Sequence, residues 1–181
     1  MRRWITILAL AAVAAGWGLI VPSAAQAAPY CGITWGSTPK SVTGNPTPWW
    51  PIVNVRGGQH PCYDRLVIDF RGRPSAYQVQ YVPAVTQQGS GAVVPLRGGA
   101  FLQIDLQSAT YDINTGTPTY QPTNPKELVN VSGWQTFRQV ASGGSFEGYT
   151  TLGLGVRARL PFRVFTLTDP GRIVIDVAHQ W

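Results

Sequence analysis

Two histidines, two cysteines and eight carboxylates are the stock this chain has for acid–base, redox or metal chemistry. A hydrolase requires a base poised beside a nucleophile or an activated water. The imidazoles, His60 and His179, sit in no motif that supplies one: there is no G-x-S-x-G, no H-E-x-x-H and no phosphate-binding loop. His60 precedes a Pro61-Cys62 step, where a structural hydrogen bond is the plainer role, and His179 stands close to the C-terminus. A glycosidase needs two carboxyl groups facing each other at roughly 5–10 Å. Asp69 and Asp176 meet that condition only if their segments are neighbours, and each has an arginine at hand. Glu147, between Phe146 and Gly148, is the acid with the most distinctive surroundings and is a candidate ligand contact. The residue set points away from catalysis and calls for no cofactor.

Binding chemistry is better supplied. Arg157, Arg159 and Arg163 form the densest run of cations. If the chain is extended there, Arg157 and Arg159 face the same side and make an anion-facing patch; charge that keeps an edge strand from aggregating is the equal alternative. Trp35, Trp49, Trp50, Trp134 and Trp181 follow the N-terminal apolar run. Indole faces suit sugar rings, and guanidinium forks suit carboxylates. Tryptophan is also a natural core residue, but Trp49 and Trp50, adjacent in a proline-flanked stretch, cannot both point inward from an extended chain. The predicted ligand contacts are therefore Arg157, Arg159, Arg163, Glu147, Trp49 and Trp50.

Compartment decides how the cysteines are read. Arg2 and Arg3 precede an apolar run from Trp4 to Val21, and Ala25 and Ala27 form an A-x-A site. This is the pattern of a signal peptide over residues 1–27, cleaved after Ala27. An uncleaved anchor is the alternative, but the run barely reaches the roughly 20 residues that span a bilayer. Cys31 follows Ala28-Pro29-Tyr30, which is not a lipobox. In an oxidising compartment Cys31 and Cys62 read as a disulfide, closing a loop of about 30 residues and stabilising by about 3–4 kcal/mol in the chain-entropy model. A zinc site from Cys31, His60, Cys62 and His179 is the competing reading, and it lacks the tight cysteine pairs such sites usually carry. The net charge of +6 includes Arg2 and Arg3, and the remaining cations are scattered. Mild, dispersed positive charge on an exported chain suits anionic wall polymers or lipid surfaces and argues against nucleic acid.

The elements that must position these residues are strands. Residues 28–59 are rich in Pro, Gly, Thr and Trp and read as an arm tethered by the disulfide. Beyond it, Leu66, Ile68 and Phe70 alternate with Arg65, Val67 and Asp69. Tyr77, Val79 and Tyr81 repeat the pattern, as do Leu102, Ile104 and Leu106. Residues 111–126, with three prolines, read as a long surface loop. Further strands are predicted over 134–140, 149–156, 162–167 and 172–177, with Gly153-Leu154-Gly155 marking a bulge or a close backbone approach. No mature segment carries a helical apolar stripe. Many short strands between Gly/Pro turns argue a sandwich or barrel.

One internal echo bears on register. Residues 65–70 and 172–177 both have the form Arg-x-Val-Ile-Asp-x. Within one strand the Arg and Asp lie roughly 13 Å apart and cannot pair. If the two strands were adjacent and antiparallel, Arg65 would meet Asp176 and Arg172 would meet Asp69; two strands obeying ordinary alternation explain the echo equally well.

The block Pro161 to Val177, with Thr168-Asp169-Pro170-Gly171 at its turn, resembles the C-terminal signature of the AMIN domain, a module found beside periplasmic cell-wall amidases. Residues 63–70 and 77–82 resemble its first hairpin. Together with His60-Pro61-Cys62-Tyr63-Asp64-Arg65, Phe146-Glu147-Gly148 and Gly153-Leu154-Gly155-Val156, they make the chain most similar to the AMIN-like domain of actinobacterial secreted proteins and lipoproteins. That resemblance runs from about Cys31 to Trp181. It implies a β-sandwich and a role in localising to the cell envelope through peptidoglycan. With no amidase or lipid-bearing cysteine beside it, such a module is expected to act alone or through a partner.

The sequence thus predicts a small all-β sandwich with a disulfide-tethered N-terminal arm: signal peptide over 1–27, arm over 28–59 and AMIN-like domain over 60–181. The expected protein is secreted or envelope-associated, has no transmembrane anchor after cleavage, and recognises peptidoglycan or an associated wall polymer without catalysis. A module that partners a cell-wall enzyme or another envelope protein is the alternative, and a wall-active hydrolase the third reading.

Overall fold

Alternation along each strand builds one core between two sheets. The computed structural model describes residues 29–44 and 49–181; the predicted signal peptide and its cleavage site lie outside them. Leu66, Ile68 and Phe70 of β3 (Tyr63–Phe70) and Ile173, Ile175 and Val177 of β11 (Gly171–Ala178) point inward from one sheet. Val79 of β4 (Tyr77–Val82), Leu102, Ile104 and Leu106 of β7 (Ala100–Leu106), and Leu152, Leu154 and Val156 of β9 (Tyr149–Val156) meet them from the other. All of these side chains are buried, so the two apolar faces close on each other as a sandwich.

The first sheet has the order β10-β11-β3-β2, with β2 at Ile52–Gln59 and β10 at Phe162–Thr168. The second has the order β1-β4-β7-β9-β8, with β1 at Lys40–Val42 and β8 at Phe137–Phe146. Every neighbour pair is antiparallel. A small hairpin, β5 (Val85–Thr86) and β6 (Val93–Val94), lies on the outer side of the second sheet. It can lie that close because Gly153 and Gly155 carry no Cβ. A Cβ at Gly153 would come within 2.8 Å of Leu96, and one at Gly155 would run into the Arg97 carbonyl.

The arm is partly sheet. Residues 52–59, read from the sequence as its end, form β2 and pair with β3 from Ile52↔Phe70 to Gln59↔Asp64. Gly57 and Gly58 gave no alternation to read, yet Trp134 and Val129 pack against Gly57 where a side chain would stand. Strand β8 likewise runs through Ala141-Ser142-Gly143-Gly144-Ser145, a stretch with the composition of a loop, by way of register shifts against β9. The loop over 111–126 has only one isolated bridge, Tyr111↔Pro118.

The disulfide Cys31–Cys62 is formed, with Cα atoms 6.4 Å apart, and those sulfurs are not metal ligands. It fixes the start of the arm beside β3. Gly36 then bridges to Phe162 at the head of β10, and the arm crosses to the second sheet as β1.

Candidate functional site

The outer face of the first sheet is laid out by register. Asp176 of β11 stands opposite Arg65 of β3 on one side and Arg163 of β10 on the other. Arg65 grips the carboxylate with two donors, Nε to Oδ1 at 2.6 Å and Nη2 to Oδ2 at 2.9 Å. Arg163 Nε donates to Oδ2 at 2.7 Å. Asp176 is fully buried beneath them, while the side chains of Arg65 and Arg163 remain 25% and 31% exposed. One carboxylate serves two guanidinium groups, so the cluster carries an excess positive charge at the surface. The hydrogen bond to Asp176 raises Arg65 above the ordinary guanidinium value, and its charge is permanent.

Rings frame these cations. Arg65 lies 5.1 Å from the centre of the Tyr63 ring and 5.6 Å from that of Phe165. Arg163 lies 5.4 Å from Tyr63, 5.2 Å from Phe165 and 5.6 Å from Trp35. Those are cation–π distances. His60 stacks on Tyr63 with ring centres 4.5 Å apart, and Trp35 tilts against Tyr63 at 5.9 Å. Trp35 comes from the arm, four residues beyond the cross-linked Cys31, and its Nε1 donates to the Tyr30 carbonyl at 2.8 Å. It also lines a shallow cavity of about 260 Å³ with Tyr30, Pro161 and Trp181. Trp181 is 71% exposed and donates from Nε1 to the Arg159 carbonyl. A ring-walled groove therefore adjoins the arginine pair.

The other residues singled out from sequence lie elsewhere. Strand β9 ends at Val156, so Arg157 and Arg159 are not alternate residues of a strand. Arg157 Nη2 donates to the His179 carbonyl, and Arg159 lies over the Tyr81 ring at 4.9 Å. Glu147 is exposed at the two-residue β8–β9 turn, where it and Gly148 both have positive φ (48° and 83°), the signature of a type I′ hairpin. Trp49 packs over Gly148 and meets Tyr149 edge-on, while Trp50 covers Gly72. Among the described residues neither indole is paired with an arginine. Arg172 faces Asp69 in register, but Asp69 takes the guanidinium of Arg56, Nε to Oδ2 at 2.8 Å, and Arg172 donates instead to the Pro170 carbonyl. Of the six predicted contacts, only Arg163 belongs to the ring-framed cluster.

The sequence pointed to Arg65 and Asp176 as an ion pair and not as part of a surface site. Trp35, Tyr63 and Phe165 were missed in that role. The signal for Tyr63 and Phe165 was available, since both lie on the same face of their strands as Arg65 and Arg163. Trp35 gave no signal for this pairing, because the disulfide and the Gly36–Phe162 bridge together bring it there.

His179 is committed to structure. His179 is 3% exposed, with Nδ1 at 2.8 Å from Thr136 Oγ1 and Nε2 at 2.9 Å from the His60 carbonyl. A carbonyl only accepts, so Nε2 carries a proton. Asp64, also buried, accepts from the backbone N–H groups of Thr136 and Phe137 through Oδ2. These contacts tie the C-terminal end of the chain, through His179, and β3, through Asp64, to the start of β8. A cavity of about 540 Å³ beside β6 is walled mainly by apolar groups such as Val94, Pro95 and Leu96, and no histidine or acid lines it.

A family model, the AMIN-like domain, matches residues 50–179 of the chain. No curated protein and no solved structure matches it. Among the described residues no helix is long and apolar enough to cross a membrane.

Proposed function

The chain belongs to the AMIN-like domain family, and on that footing we propose that it is a non-catalytic cell-envelope binding module, acting outside the cytoplasm, that recognises peptidoglycan or an associated wall polymer. The binding surface is the outer face of the β10-β11-β3-β2 sheet. The observation that carries this reading is the sharing of Asp176 by Arg65 and Arg163 beneath Tyr63, Phe165 and Trp35.

Peptidoglycan offers carboxylates on its stem peptides and the apolar faces of sugar rings. The surplus guanidinium charge suits the first. The flat rings of Trp35, Tyr30 and Trp181 suit the second. Because Asp176 and the rings already hold both guanidinium groups in place, little side-chain freedom is lost when a ligand arrives. A binding role also accords with the engagement of both ring nitrogens of His179 by structural partners.

Cosedimentation of the purified protein with purified peptidoglycan tests the proposal. Retention at low ionic strength that weakens as salt is added is the expected result, since the cations are partly exposed and open to screening. A protein that stays in the supernatant at low salt would remove the polymer from the account.

A further inference from the structure

We propose that the cavity of about 540 Å³ beside β6 is a binding site for a single-chain apolar carboxylate, a free fatty acid of medium length, whose tail lies against β8 and whose head meets Lys126. The cavity lies against the second sheet, away from the arginine pair on the first, and the peptidoglycan reading makes no use of it. Its volume falls in the range of roughly 300–1,000 Å³ common to small-molecule pockets.

Two segments fastened to β8 make its walls. On one side residues 125–128 run along the strand, where Ser142 N–H donates to the Pro125 carbonyl at 2.7 Å and Leu128 N–H to the Val140 carbonyl at 2.8 Å. On the other side stand the β5–β6 hairpin and residues 95–97. There Gln88 N–H donates to the Gly143 carbonyl at 2.9 Å and Arg97 N–H to Gln139 Oε1 at 2.7 Å. Arg97 and Glu127 join the two walls through a two-point ion pair, Nη1 to Oε1 at 2.5 Å and Nη2 to Oε2 at 3.1 Å. The walls are thus fixed before a ligand arrives, which lowers the cost of binding.

The lining sorts by depth. Val94 and Ala141 are buried and form the floor, while Val93, Pro95 and Pro125 are exposed and form the rim. Gln139 is the one buried polar residue in the lining, and both ends of its amide are engaged. Oε1 takes the Arg97 N–H, and Nε2 donates to the Lys126 carbonyl at 2.9 Å. Such a floor offers water little to bind and favours an apolar occupant. No lining residue is acidic, and two, Arg97 and Lys126, are cations. Glu127 engages Arg97, whereas the exposed Lys126 has no ion pair among the described residues. An apolar floor beside one uncompensated cation selects a ligand with an apolar tail and a single negative charge. One cation gives little pull on an anionic bilayer, and a flat surface does not reach the floor.

The test follows the methyl resonances of Val94, Leu96 and Ala141 while the purified protein is titrated with sodium decanoate below its micelle concentration. Saturable shifts confined to these groups and their neighbours are the expected result. Octanoate, shorter by two methylenes, should bind about tenfold more weakly. Decyltrimethylammonium, with an equal tail and the opposite charge, should bind about tenfold more weakly than decanoate, and Lys126→Glu should remove that preference. Ala141→Leu should abolish binding by filling the floor. Val93→Asp changes a residue that is 59% exposed and so spares the fold; it should weaken decanoate about fivefold or more, whether or not the first variant folds. No methyl shift at millimolar decanoate would overturn the proposal, as would equal binding of the cationic amphiphile by the unmodified protein. Binding to phosphatidylglycerol vesicles with none to decanoate would assign the face to a membrane and overturn it too. So would the same shifts on concentrating the protein alone, which would assign the face to a second copy. None of these outcomes bears on retention by peptidoglycan.

Discussion

Arg65 and Asp176 stand 111 residues apart in sequence and directly opposite each other across β3 and β11, joined by a two-point ion pair at 2.6 and 2.9 Å. The two central strands of the sheet are thereby fixed in register on their outer face, while Leu66, Ile68, Ile173 and Ile175 fix the same register from the core.

Asp176→Asn should destabilise the fold by about 1–3 kcal/mol, because two adjacent guanidinium groups lose the charge between them. The loss stays below the 3–5 kcal/mol typical of breaking a fully buried pair, since both arginines can turn toward water. Urea unfolding measures it, and a loss under about 0.5 kcal/mol would show that the pair adds little to stability.

The sheet was largely legible in the sequence because its inner residues alternate without interruption. Leu66-x-Ile68-x-Phe70 and Ile173-x-Ile175-x-Val177 read as strands on sight, and both are. What the sequence hid follows from chemistry that leaves no period. Gly57 and Gly58 of β2 and the Gly143-Gly144 stretch of β8 carry no side chains to alternate. Arg157 and Arg159 keep strand spacing on a segment that has already left the sheet. The site itself joins four segments, and the spacing of Trp35 to Arg163 is set by a disulfide and a fold, not by any local pattern.

Replacing both Cys31 and Cys62 by Ser should cost about 3–4 kcal/mol if the unfolded chain gains the freedom that a loop of about 30 residues implies. Arm residues, Trp35 among them, should become mobile first, because Gly36 makes one of the few sheet contacts the arm has before β1. Thermal unfolding and amide hydrogen exchange over residues 31–39 read the two effects. Unchanged stability would mean that the arm's other contacts suffice.

Tyr81 makes a claim about pH. Its hydroxyl donates to the Leu160 carbonyl at 2.7 Å and accepts from the Leu160 N–H at 3.0 Å, and burial pushes its ionisation up to about 12. The neutral phenol is favoured in the folded state. Its stabilising effect is therefore complete below the ordinary tyrosine value near 10 and falls away as pH rises through about 12. Ultraviolet titration should show a late-ionising tyrosine that disappears in Tyr81→Phe. That variant should also lose about 1–2 kcal/mol by leaving the carbonyl of the buried Leu160 unpaired, while its N–H keeps the Ala158 carbonyl at 2.8 Å.

Gly155→Ala should be among the most damaging small substitutions, at about 2–4 kcal/mol, because the added carbon meets the Arg97 carbonyl backbone and not a movable side chain. The segment after β6 would have to lift from β9. Denaturant unfolding checks the magnitude, and loss of the Gly99 N–H bond to the Val156 carbonyl should appear as faster amide exchange at Gly99.

The bound fraction of a Trp35→Ala/Arg163→Ala double variant on purified peptidoglycan, at low salt and beside wild type, tests the assignment of the binding surface most directly. Arg65 alone still holds Asp176 in that variant, so the sheet stays intact. Binding should fall by about tenfold or more, as expected when central ring and guanidinium contacts are removed, while Arg157→Ala/Arg159→Ala stays within about twofold of wild type. Retention equal to wild type in the first variant, or lost only in the second, would contradict the placement of recognition on the outer face of the β10-β11-β3-β2 sheet.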